Sequence, residues 1–203
     1  TVSNGRAKRM TEKKDKQMPY SFKVPKESED YPASSDFVIG RISAVMAKAI
    51  EAGKNRIFIR TNLKRGLPLE NINKIAGPFV EAWALEQFEE IVADTDNGYE
   101  LINVQAGKRL DPFDIVLQFK RKLTGGNYVS ANIDVKATAE DIKTSGKSPN
   151  ITSFARIRSE YLEDPDYIFV ILSLKHKVYS ERGNSEGITN GVMEVVSHAA
   201  YDL

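Results

Sequence analysis

The stretch DYIFVILSLKHKVY, residues 166–179, constrains the fold of this chain more than any other. Its centre, YIFVILSL, is one continuous apolar run rich in β-branched and aromatic side chains. A run of that kind reads as a strand covered on both faces, in the middle of a sheet. A sheet with such a centre needs a layer packed on each side.

The surrounding segments supply those layers. In SSDFVIGRISAVMAKAIEAG (34–53), Val38, Ile42, Val45, Met46, Ala49 and Ile50 recur at helical spacing. Ser34, Ser35 and Asp36 are the expected caps of that helix, and Gly53 its stop. RIFIRT (56–61) reads as a short strand. A second helix is expected to open at Pro78 in GPFVEAWALEQFEEIVAD, since proline suits the first helical position. Phe79, Ala82, Trp83, Phe88, Ile91 and Val92 form its apolar stripe, with Trp83 and Phe88 read as core rather than as stacking platforms. YELINV (99–104), DIVLQFK (114–120) and YVSANIDVKAT (128–138) read as strands. The last two form a hairpin turning through Gly125 and Gly126. ITSFARIRSEYLED (151–164) reads as a helix with Asn150 as N-cap, and GVMEVVSHAAY as a last strand. The expected class is α/β (α+β): a mixed sheet flanked by helices.

At 203 residues the chain is one domain, or one domain with a tail. Residues 1–20 are expected to be a basic, flexible arm and 21–203 the folded domain. That domain is expected to be cut short at its C-terminus, because the chain stops just after a strand-like pattern. No apolar run approaches the roughly 18 residues of a membrane span, and the charged, polar residues at the start do not read as a secretory signal. The absence of cysteine excludes disulfides, thiolate metal sites and a thiol nucleophile, and fits a reducing cytoplasm. A net charge of +1 does not announce a nucleic-acid partner, but its distribution is uneven. Residues 1–26 hold eight Lys and Arg, and residues 142–159 hold Lys143, Lys147, Arg156 and Arg158 without an acid. Local basic runs of this kind can follow phosphates, or they can be solvated surface.

The chemistry concentrates in ANIDVKAT (131–138). On a strand, Asp134 and Lys136 share one face while Ile133 and Val135 take the other. If the hairpin pairs as expected, Asp114 lies on the same side at the start of the partner strand. Two carboxylates beside a lysine could hold a hard divalent cation and act on a water. A surface cross-strand ion pair worth under about 1 kcal/mol would look the same in sequence. The triplet alone is not specific, since Asp141-Ile142-Lys143 matches it equally well.

Longer segments are more specific. DPFDIVLQF…ANIDVKAT followed by SGKSPNITSF, together with TNLKRGLPLENINKIAGPFVEAWA, SGKSPNITSFARIRSEYLEDPDYIFVILSLKH and the terminal YDL, resemble the type II restriction endonucleases of the HpaI and HincII kind, the HpaI branch most closely. These are enzymes of the PD-(D/E)xK nuclease superfamily. The resemblance runs from about Phe22 to Leu203. It implies a restriction-endonuclease-like fold, Mg²⁺ as cofactor, double-stranded DNA as substrate, a homodimer acting on a short palindrome, and a cytoplasmic place of work. Residue by residue, it implies that Asp114 and Asp134 bind metal with the Val135 carbonyl, that Lys136 acts on the attacking water, and that Glu81, four residues after Gly77, supports the site. It further implies that Asn150 reads base edges, that Lys147 presses on the bases, and that Ser145, Gly146 and Ser148 let the backbone approach DNA. The superfamily's leading Pro-Asp is here Phe113-Asp114, with Pro112 one place early. Two rivals share the same core: a repair or recombination nuclease without strict sequence readout, and a non-catalytic DNA-binding module.

Overall fold

The computed structural model describes residues 23–63, 67–140, 154–182 and 189–203. Its elements are α1 (Tyr31–Glu51), β1 (Arg56–Thr61), α2 (Leu69–Val92), β2 (Leu101–Ala106), β3 (Ile115–Lys122), β4 (Tyr128–Ala139), α3 (Phe154–Glu163), β5 (Ile168–Arg182) and β6 (Thr189–Asp202). The strands form one sheet in the order β1-β6-β5-β4-β3-β2. Only β4 and β5 run parallel, with Asp134 beside Ile171; every other neighbouring pair is antiparallel. This is the mixed sheet expected, and the apolar run of residues 168–174 lies inside it.

The sheet separates two apolar layers. On one side α1 and α2 bring Ile42, Met46, Val80, Trp83 and Phe88 against Leu117, Phe119, Ile133, Val135, Val170 and Leu172. On the other, Ile157 of α3 packs with Phe169 and Ile171, and with Phe113, Tyr161 and Tyr167 at their margin. Val170, Leu172 and Leu174 therefore serve one layer, and Phe169 and Ile171 the other. That explains why residues 168–174 of β5 are apolar at nearly every position rather than at alternate ones.

Both long helices begin earlier than their sequence signals suggest. α1 starts at Tyr31, with Asp30 in the cap position and Pro32 in the first turn. Ser34 and Ser35 are buried within the helix and are not caps. The Ser35 hydroxyl donates to the Asp202 carboxylate at 2.6 Å, and the Tyr31 hydroxyl donates to the same group at 2.9 Å. These residues tie α1 to the last strand. α2 starts at Leu69, so Pro78 lies inside it rather than at its first position. Proline there removes one intrahelical donor. The buried series Ile72, Ala76, Val80, Ala84 and Phe88 runs unbroken across it, and burial of that stripe holds the helix together. Gly53 follows α1 at φ 71°, and Gly126 turns the β3–β4 hairpin at φ 86°, both backbone conformations that favour glycine.

Candidate active site

Register brings the candidate residues together. Ile115 of β3 stands opposite Ile133 of β4. Asp114, one residue before β3, donates its backbone N–H to the Ile133 carbonyl at 2.8 Å. Its carboxylate Oδ2 accepts the backbone N–H of Val135, also at 2.8 Å. A side chain thus continues the β3–β4 ladder past the point where β3 itself begins. Val135 turns its side chain into the core and is 3% exposed. Asp134 and Lys136 leave the other face of β4.

On that face the charges are close. The Lys136 ammonium is ion-paired with the Asp134 carboxylate. Asp134 is buried, at 7% exposure, whereas Lys136 is half-buried. Burial pushes the Asp134 carboxyl above its ordinary pKa. Lys136 opposes that shift, while the Asp114 carboxyl, within hydrogen-bonding reach, adds to it. Glu81 approaches from α2. Its carboxyl is also raised, first by burial and then by the field of Asp114, with Lys136 lowering it and Asp134 raising it further. Glu81 and Asp114 line one wall-to-wall cleft of about 280 Å³ together with Pro78, Gly107, Lys108 and Arg109.

Such an arrangement suits a hard divalent cation. Two buried or half-buried carboxyl groups share a small space, and their mutual repulsion is what a cation would relieve. Among the described residues no three His, Asp or Glu side chains gather around a single point. What the strands assemble is a pair, Asp114 and Asp134, with Glu81 nearby. Asp134 also holds Lys136, so the same carboxylate lies between Asp114 and an ammonium.

The family model for type II restriction endonuclease HpaI matches residues 18–203. The chain is 52% identical over 183 residues to the type II restriction enzyme HpaI of Haemophilus parainfluenzae, an alignment covering 90% of this chain and 71% of that enzyme. This chain belongs to the HpaI family of type II restriction endonucleases. That membership separates it from the repair nucleases and inert binding modules that could share its core. Type II restriction enzymes generally use a divalent metal, and in this HpaI-family chain the carboxylate pair is the donor set that fits one. No described helix is long and apolar enough to cross a membrane.

Of the residues named from sequence, Asp114, Asp134, Lys136, Glu81 and the backbone of Val135 meet in one place. Ser145, Gly146, Lys147, Ser148 and Asn150 lie outside the described residues, as does the expected cap of α3. His176 and His198 lie on β5 and β6, away from this cluster. Sequence reasoning missed the segment before Asp114. Gly107 donates its N–H to the Asp114 carbonyl at 2.7 Å. A Cβ at Gly107 would run into the Phe113 carbonyl oxygen and stand 3.2 Å from the Asp114 carbonyl carbon. Glycine is needed there because two backbones touch, and that contact seats Asp114. The signal was available in AGKRLDPFD, where a glycine, two cations and a turn-forming aspartate precede the candidate ligand.

Proposed function

We propose that this enzyme hydrolyses phosphodiester bonds of double-stranded DNA at a short palindrome, with Mg²⁺ as its metal, and that Asp114, Asp134 and Lys136 carry the reaction. The observation behind the reading is the meeting of two carboxyl groups and one ammonium at the β3–β4 junction, beside an open cleft. Asp114 and Asp134, with the Val135 carbonyl, would hold the ion, since Mg²⁺ takes oxygen ligands and usually only one or two carboxylates. Bound there, Mg²⁺ supplies positive charge that favours ionisation of water and offsets the charge of the pentavalent transition state. Lys136 orients the attacking water and neutralises charge on the phosphate. Its ion pair with Asp134 fixes where the ammonium can reach. Glu81, whose raised pKa reflects burial beside Asp114, supports the site from α2 and can accept a proton at lower cost than an exposed glutamate.

Sequence readout falls to the segment just after the catalytic strand. β4 ends at Ala139, and residues 145–150 follow it in the sequence. Asn150 presents an amide to a base edge, an arrangement that suits adenine. Lys147 presses on the bases, and Ser145, Gly146 and Ser148 allow close backbone approach. Asn150→Ser should keep a helix cap and lose roughly 1–3 kcal/mol of discrimination at one base pair per half-site; unchanged specificity would leave Asn150 as a cap alone. A palindrome cut on both strands asks for two sites related by a two-fold axis, hence a homodimer. A monomer by sedimentation, both free and on DNA, would contradict that. The place of work is the cytoplasm.

The deciding experiment is digestion of a plasmid of known sequence in Mg²⁺, followed by mapping of the ends. All ends should fall at one short palindrome, with both strands cut. Ends scattered over unrelated sequences would overturn the proposal.

A further inference from the structure

The turn between β2 and β3 carries charges that the proposed chemistry does not use. Residues 107–111 read GKRLD. The Lys108 backbone N–H donates to the Asp111 carboxylate at 2.8 Å, and the Asp111 N–H donates to the Lys108 carbonyl at 2.8 Å. Gly107 fixes one end of the turn on Asp114, and the Arg156 guanidinium donates to the Leu110 carbonyl at its tip. The turn is therefore held from inside, from the catalytic junction and from α3. Lys108 and Arg109 are both exposed, and both line the cleft that holds Glu81 and Asp114. Asp111 lines it too, but its carboxylate is engaged by the Lys108 backbone. Among the described residues the ion pairs elsewhere in the chain do not involve Lys108 or Arg109.

We infer that Lys108 and Arg109 clamp a DNA backbone phosphate adjacent to the one that is cut. The inference rests on the reading of Asp114 and Asp134 as the catalytic site. A wall of carboxyl groups repels a polyanion, and a strand led past it needs cations close by. Lys136 is already committed to Asp134, so it does not serve a second phosphate. The planar fork of Arg109 can take two phosphate oxygens, while Lys108 adds a point charge. Because the turn is pinned through Gly107 to the backbone of Asp114, a phosphate held there is held at fixed distance from the carboxylates. These are positioning residues, which set where the scissile bond lies.

The test measures binding without metal, in EDTA, to a duplex carrying the mapped site, across a range of salt. Each phosphate neutralised contributes about 0.9 to the log–log salt slope, and the proposed homodimer holds one such phosphate per protomer, so the double variant Lys108→Ala/Arg109→Ala should flatten it by about 2. Arg109→Lys should retain most of the slope. A parallel set of duplexes carries one neutral methylphosphonate at each position in turn. In the parental protein one position next to the scissile bond should weaken binding, and in the double variant that same position should have no effect. An unchanged slope, or an equal methylphosphonate penalty in both proteins, would overturn the inference. Either result would leave the carboxylate reading standing on its own cleavage data. Loss of the catalytic reading would instead show as Mg²⁺-dependent cutting by the Asp134 variant.

Discussion

The two faces of the β3–β4 hairpin are made of adjacent residues and obey opposite rules. One face, with Ile115, Leu117 and Phe119 of β3 and Val129, Ala131, Ile133 and Val135 of β4, is almost wholly buried against α1 and α2. The other carries Asn132, Asp134 and Lys136 beside Asp114, and only Asp134 of these is fully buried. The first face is satisfied by contact alone. The second gathers the carboxyl groups of Asp114 and Asp134 with Lys136, and burial raises the pKa of Asp134 there and of Glu81, which approaches from α2. The hairpin thus uses one face to stabilise a register and the other to spend some of that stability on a site.

The largest expected effect comes from breaking the core face. Ile133→Ala removes a side chain with no exposure, between α2 and the sheet. Roughly 2–5 kcal/mol of stability should be lost in denaturant titration. A loss below about 1 kcal/mol would mean that this face is not close-packed. Gly107→Ala strikes the junction between the faces. The added methyl meets backbone rather than a movable side chain. It should cost about 1–3 kcal/mol and depress cleavage by more than the fold loss explains, because Asp114 must shift. Full cleavage in a destabilised variant would show that the seat of Asp114 is tolerant.

The smallest effect has the opposite sign and sharpens the comparison. Asp134 neighbours Ile133, yet Asp134→Asn should not destabilise the metal-free protein at neutral pH. Because the folded pKa of Asp134 is raised, its ionisation works against folding as pH rises from the unfolded pKa, about 3.9, through the folded one. In EDTA the Asn variant should therefore melt at or above the parental temperature at pH 7. That advantage should vanish at pH 3, where the parental carboxyl is protonated in both states. Divalent cation should then stabilise the parental protein and leave the variant almost unchanged. A variant that melts well below the parental protein at pH 7 would assign Asp134 a structural role.

Alternation along single strands made much of this legible. Val129, Ala131, Ile133 and Val135 against Asp134 and Lys136 announced which face was which. YIFVILSL announced the centre of the sheet, and Gly125-Gly126 the hairpin that sets register. The helix starts were less legible, because their local signals compete with burial. Ser34 and Ser35 look like caps but bond to or pack near a strand at the far end of the chain, and Pro78 looks like a start but is overridden by a buried stripe on both sides. Within the site, the carboxylates and the lysine could be named from spacing and resemblance. The use of the Asp114 carboxylate as a ladder partner for Val135 could not, because it depends on β3 beginning one residue late. For Gly107 the sequence offered only a turn signal in AGKRLDPFD; its contact with Asp114 joins segments whose approach the folded sheet defines.

The central claim is that the polar face of the hairpin cuts DNA, and it is tested most directly by single-turnover cleavage in Mg²⁺. Parental protein, Asp134→Asn and Lys136→Ala would each be given a duplex carrying the mapped site, with binding measured in the same samples. Both variants should bind the duplex and leave it intact, at rates lower by at least about 10³-fold, on the scale of removing a principal charge-stabilising or proton-transfer group. Cleavage by either variant at close to the parental rate would contradict the account.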